Sequence, residues 1–253
     1  RAKASRRFSR SVSQRGRRAD DRTKPTRWRP LSPTVYPGTP VTSTRRKVSG
    51  RPNIAAGKTL LMEAAARLAA RQGVTSLVLR EIAREAGLNH NTFYRHFADI
   101  ETMMQVIVTS FGDQLRQGLS DARATLRPGE VPTQKVIGWL FDFARSHRDV
   151  FIVAMRERFG PPGPVRDAVQ GLIEQLTVDT QRDLTMIGYL PDVDPDYLRR
   201  LLDVGVNEVF RHCIEYLEEP RRRQALLLQT QELLETMLTG AVALEARTHN
   251  AKK

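Results

Sequence analysis

The chain has one cysteine in 253 residues. A disulfide framework and a thiolate zinc cluster are therefore excluded, and the usage fits a reducing compartment. It lacks a long apolar run as well. Val136–Phe143 is among the longest and already contains Asp142, far short of the roughly 18–20 residues a membrane span needs. No charged segment followed by an apolar one opens the sequence, so no secretory signal is expected, and a cytoplasmic protein is. Gly57-Lys58-Thr59 resembles the end of a phosphate loop, but Pro52 stands where that pattern needs glycine and no strand precedes it. His90 and His96 are six apart and do not share a helix face, which excludes that pair as a zinc site. His147, His212 and His249 show no nucleophile or carboxylate in catalytic spacing. Cys213 lies alone on an apolar helical stripe and is expected to be a buried, inert thiol. No enzyme, metal or tightly bound cofactor is predicted.

Acidic residues are scarce in one place only. Residues 1–53 hold 16 Lys and Arg but only Asp20 and Asp21; the other 200 residues hold 25 basic and 26 acidic side chains. The net charge of +13 thus belongs to the first segment. With Pro25, Pro30, Pro33, Pro37 and Pro40 and no periodicity, residues 1–53 are predicted to be a disordered basic tail. Three roles stay open for it: an arm attracted to phosphates, a segment absent from the mature protein, or a transit peptide. Any sequence-specific nucleic-acid role has to come from the near-neutral remainder.

What is there, from residue 54 on, is helical periodicity with no convincing strand. Nine helices are predicted, over about 55–72, 79–86, 90–96, 100–125, 133–146, 149–158, 164–187, 195–217 and 221–246. Leu79, Ile82, Ala83 and Ala86 sit at i, i+3, i+4 and i+7. Gly87 supplies a turn, and Asn89 is placed to cap the next helix. Pro128 and Pro132, the PheGlyProProGlyPro segment at 159–164 and Pro191–Pro195 mark later breaks. The fold class is all-α: a helix-turn-helix domain at 54–98, a six-helix bundle at 99–247 (the ligand-binding and dimerisation domain that the resemblance given below implies), and a short disordered tail at 248–253. In the third helix, Phe93 and Phe97 fall together on one side. His90, Asn91, Tyr94 and Arg95 project from the other, with Thr92 and His96 flanking. A polar face of this kind suits base edges and phosphates; a capped, solvated surface helix would show the same periodicity.

The stretch from Leu79 to Phe97 closely resembles the DNA-binding signature of the tetracycline-repressor (TetR) family. The resemblance rests on Ile82-Ala83-Arg84-Glu85-Ala86-Gly87 and Phe93-Tyr94-Arg95-His96-Phe97. It covers about 50 residues strongly, and the later helices match in architecture only. It implies a homodimeric regulator, usually a repressor, that binds a palindromic operator, pairs through its last two helices, and responds to a small hydrophobic effector. Carried over by position, Arg80, His90, Asn91 and Tyr94 are near the bases. Thr92, Tyr94 and His96 hold phosphates, Lys58 reaches the backbone, and Arg95 either reaches a phosphate or stays solvated. Asn91 departs from a frequent glycine and Ile100 from a common lysine.

SerLeuValLeuArgGluIleAla at 76–83, PheTyrArgHisPheAlaAsp at 93–99 and PheIleValAlaMetArgGluArgPheGly at 151–160 look like the FabR/DesT group, which controls unsaturated fatty-acid synthesis and senses long-chain acyl-CoA. That implies an acyl tunnel along Met103, Ile107, Phe111, Trp139, Phe143 and Leu172, with Arg156, Arg158 and Arg166 for the phosphates of CoA. The same apolar residues would fill any bundle core, and the arginines suit an internal network with Glu157. A regulator of efflux or catabolism sensing another apolar ligand, and an acyl-binding module without an operator, remain alternatives.

Overall fold

Apolar residues every three to four positions force the chain to bury one stripe of each helix, and this decides the architecture. The computed structural model describes residues 54–126, 132–188, 190 and 193–251. The expected tail at 1–53 and the break at Pro128 lie outside these residues. α1 spans Ile54–Gln72, α2 Leu79–Glu85, α3 Ile100–Ala124 and α4 Pro132–Ser146. α5 spans Arg148–Glu157, α6 Pro164–Met186, α7 Pro195–Glu218 and α8 Arg223–Ala251. Between α2 and α3 the segment His90–Arg95 is a 3-10 turn. No strand occurs among the described residues, as the all-α reading requires. No helix among them is long and apolar enough to cross a membrane.

The starts are set by local chemistry. The Thr102 N–H donates to Asp99 Oδ1 at 2.6 Å, capping α3. The Tyr197 N–H donates to Asp194 Oδ1 at 2.8 Å, capping α7, whose first residue is Pro195. Two expectations need correction. The third helix is 3-10 rather than α, since six residues between the Gly87 turn and Phe97 offer too few i→i+4 bonds to hold a wider coil. α8 runs through Ala251, past the boundary expected at 247, because no glycine or proline follows Gly240 to stop it.

α3 packs along α6, α6 along α7, and α1 against both α3 and α5. One large core joins them, from Leu61 and Ile82 through Phe111 and Phe151 to Phe210 and Cys213. α1, α2 and the 3-10 turn share this core with the later helices, and the described residues all fall in one compact unit. The free thiol of Cys213 is fully buried, and burial pushes its pKa up. α4 crosses α3 at Gly118, where an added Cβ would lie 2.0 Å from Trp139 Cζ2; glycine is what lets the indole close over α3. A smaller cluster, Leu184, Leu190, Val193, Leu198, Leu202, Leu238 and Ala241, ties the far ends of α6, α7 and α8 together.

Three histidines within this packing predict an acid response. Burial holds His147 below its ordinary pKa, against a hydrogen bond to the Phe143 carbonyl. Burial and then Arg211 lower His212; burial, Arg95 and Lys58 lower His96. Above the unfolded pKa near 6.5 both states are neutral and nothing is lost. As pH falls through that value the unfolded chain protonates first, so stability declines until the folded pKa is passed. Asp99 and Glu208, both held below the carboxylate range by hydrogen bonds, keep their contribution until about pH 4 or lower. Urea melts should therefore weaken from pH 7.5 to 5.5, by at most about 1.4 kcal/mol per pH unit for each histidine. His147→Gln and His212→Gln should flatten the slope. A level or rising profile for the unaltered chain would exclude this account.

Candidate nucleic-acid interface and ligand cavity

The turn that presents the polar face is held by two rings. Phe93 is 0% exposed and Phe97 5%, with centroids 5.7 Å apart. The turn is started by Asn89, whose Oδ1 accepts from the Asn91 N–H at 2.9 Å. Before it, Gly87 adopts φ +68°, a left-handed conformation that costs an L side chain about 1–2 kcal/mol. The Leu88 N–H then closes back onto the Ala83 carbonyl at 2.8 Å, which fixes the angle between α2 and the turn.

On this platform the predicted residues divide. His90, Asn91, Tyr94 and Arg95 are exposed, as is Arg80 in the first turn of α2. Tyr94 is 64% exposed, its ring set edge-on to Phe93 with centroids 5.7 Å apart. Thr92 and His96 are half-buried and face the start of α1, where a Cβ on Gly57 would lie 3.3 Å from His96 Nε2 and 3.8 Å from Thr92 Cγ2. Lys58 is exposed with its Nζ 5.5 Å from the centre of the Phe97 ring. Lys58, Arg95 and His96 are thus near one another, and the two cations contribute to the lowered pKa of His96. An imidazole whose proton affinity is lowered by burial and then by positive neighbours is suited to sit beside a phosphate, which would raise it again.

The expected ligand residues are placed differently. Met103 is fully buried, and Ile107, Phe111, Phe143 and Leu172 are buried too. Phe143 stacks on Trp139 with centroids 5.0 Å apart and packs on Phe111 at 5.5 Å, while Phe111 meets Phe151 edge-on at 6.0 Å. These side chains pack against one another. The arginines go elsewhere as well. Arg156 donates to the Ala70 carbonyl at the end of α1 (2.5 Å), and Arg166 donates to the Gly160 carbonyl (3.0 Å). Arg158 lies over the Phe159 ring at 5.1 Å, in an open groove beside α7 and α8.

A partly open hollow lies at the other end of the bundle. A cavity of about 110 Å³ lies where the large and small apolar clusters meet, among α3, α4, α6, α7 and α8. Leu119, Ile137 and Leu176 line it from one cluster, and Leu184, Leu202 and Leu238 from the other. None of Met103, Ile107, Phe111, Trp139, Phe143, Arg156, Arg158, Arg166 and Leu172 borders it. Three polar residues do: Arg123, Thr133 and Thr180. The signal for Arg123 was present in the sequence. It extends the apolar row Phe111, Leu115, Leu119 by one more step of four, so a charge had to enter the core.

Comparison with known proteins agrees with this geometry. Residues 61–107 match the model of the bacterial regulatory proteins of the tetR family. A tetR-family transcriptional regulator from Streptomyces coelicolor superposes with a TM-score of 0.62 at 18% identity, over 78% of this chain and 87% of that one. The fatty acid degradation regulator FadR from Bacillus halodurans gives 0.62 at 14%, over 73% and 95%. The transcriptional regulator FadR from Bacillus subtilis, solved in complex with stearoyl-CoA, gives 0.60 at 16%, over 72% and 98%. Residues 61–107, with the two-phenylalanine turn inside them, are thus similar to the bacterial regulatory proteins of the tetR family, and the described helices share the fold of the tetR-family regulators named above.

Proposed function

We propose that the protein is a transcriptional repressor that binds a palindromic operator as a homodimer and changes its operator affinity when an apolar effector enters the bundle. The observation that carries this is the exposed set Arg80, His90, Asn91, Tyr94 and Arg95 on a turn anchored by Phe93 and Phe97, a polar surface with a rigid floor. Pairing through α7 and α8 is supported by Val204, Leu228, Val242 and Leu244, apolar side chains 44–60% exposed on those helices. A two-fold pair would set two reading turns about one helical turn of DNA apart, near 34–36 Å.

Long-chain acyl-CoA is the effector favoured by the resemblance of residues 151–160 to the FabR/DesT group, and the FadR that binds stearoyl-CoA shares the fold. The size of the cavity favours a second reading, a regulator of efflux or catabolism with a smaller apolar ligand, since pockets for drug-sized ligands run to about 300–1,000 Å³. Gel shifts on DNA flanking its own gene, with saturated and unsaturated acyl-CoAs added separately, discriminate between these. A shifted band released by either acyl-CoA supports the fatty-acid role. A band that neither one alters excludes that role and keeps the regulator. No specific band would leave a ligand-binding module without an operator.

A further inference from the structure

Arg123 is the feature of the bundle that structural packing does not use up. It is 4% exposed, yet it borders the cavity. Its Nε donates to Asp183 Oδ2 at 2.8 Å and Nη1 to Thr180 Oγ1 at 3.4 Å. Its Nη2 is buried without a hydrogen-bond partner among the described residues. A buried guanidinium donor left unmatched is costly, and native proteins rarely keep one.

Arg116 Nε meets Asp179 Oδ2 at 2.7 Å, and Arg182 reaches both Asp179 and Asp183 at 3.2 Å. With Arg123, this ion-pair network between α3 and α6 holds three guanidiniums against two carboxylates. Asp113 acts on Arg116, but it lies ten residues from Arg123, about 15 Å along α3. Arg182 is 56% exposed, so its charge is answered by solvent, and Glu235 stands beside the lining Thr133; what sets Arg123 apart is its unmatched Nη2. The remaining lining is aliphatic apart from Phe210, with Thr133 and Thr180 as the other hydroxyl-bearing groups. Thr133 Oγ1 already donates to Glu235 Oε1 at 2.6 Å.

We propose that this cavity binds a small apolar acid as its monoanion, with the carboxylate on Arg123 Nη2 and the hydrocarbon body between the two leucine clusters. The proposal deepens the effector reading above by naming the ligand's charge and size. A cavity of about 110 Å³ is on the scale of an engineered apolar cavity of about 150 Å³ that takes benzene. The body is therefore an aromatic ring or a chain of about six to eight carbons. A guanidinium in low dielectric suits a carboxylate, because each desolvated charge is answered by the other.

Calorimetric titration of the full chain with benzoate and octanoate, each against its methyl ester, tests this without DNA. At least one acid should bind, with its ester about 10- to 100-fold weaker, the range of a charged hydrogen bond. Arg123→Met should remove the acid's advantage while leaving the ester's affinity nearly unchanged. Equal or tighter binding of the esters, no binding by either acid, or an acid preference that survives Arg123→Met would each overturn the proposal. If Arg123→Met does not fold, the acid–ester comparison in the unaltered chain decides alone. Operator binding is measured separately. Its loss would remove the regulator reading and leave this result standing, whereas an operator-binding chain that ignores both acids overturns only the present inference.

Discussion

Tyr94→Ala will abolish specific operator binding while leaving a folded chain. The ring stands 64% exposed on the reading turn and meets Phe93 edge-on. Removing it costs the fold at most about 1 kcal/mol. On DNA the loss is counted twice, once per half-site. A base-edge contact contributes about 1–3 kcal/mol, so a symmetric pair loses about 2–6, or roughly 30- to 20,000-fold in affinity. Arg80→Ala should behave alike. Lys58→Ala, at a backbone-contacting position, should instead weaken all sequences evenly and lower the salt slope. Fluorescence anisotropy on operator and scrambled duplexes separates these outcomes. If Tyr94→Ala binds the operator as tightly as the unaltered chain, the turn is not the reading element.

The largest expected effect on stability lies at the opposite end of the molecule. Asp183→Ala will strand Arg123, with side chains now 4% and 12% exposed for the arginine and the aspartate. Removing one member of a buried pair costs about 3–5 kcal/mol, chiefly because the remaining charge is left in low dielectric. For a chain of this size that lowers Tm by about 6–20 °C. Replacing both, as Arg123→Met with Asp183→Leu, should recover most of the loss, since well-packed hydrophobic replacements of buried pairs are often neutral. Thermal melts of the three variants give the answer. A single variant as stable as the parent would mean that water reaches the pair and that the cavity wall is not dry.

How much of this was legible beforehand differs by region. The start of α2 at Leu79 and of α3 at Ile100, and the anchoring of the turn by Phe93 and Phe97, follow from spacing, because one face of a short helix has to be buried and only those two rings are large enough. The cap at Asn89 was legible for the same local reason. The cavity was not. Periodicity tells which residues turn inward but not which of them meet a matching surface. Phe111, Trp139 and Phe143 interlock, whereas Leu119, Leu184 and Leu238 belong to two clusters that do not close over the gap. The ion pairs of Arg123 with Asp183 and of Arg116 with Asp179 join residues about 60 positions apart. In hindsight, Asp179 and Asp183 sit one helical turn apart on α6, as Arg116 and Arg123 sit two turns apart on α3. Two matching rows of opposite sign were the available clue.

The grip of Arg156 on the Ala70 carbonyl has a mechanical outcome. The last carbonyls of a helix are open to any donor, and here the donor comes from α5, so α5 and α1 are geared together. Under the proposed function, a slide of α5 would pull the trailing end of α1, and with it the turn that follows α2, as one lever. In the proposed two-fold pair that motion would put both turns out of step with the pitch of the duplex, while each keeps its own shape.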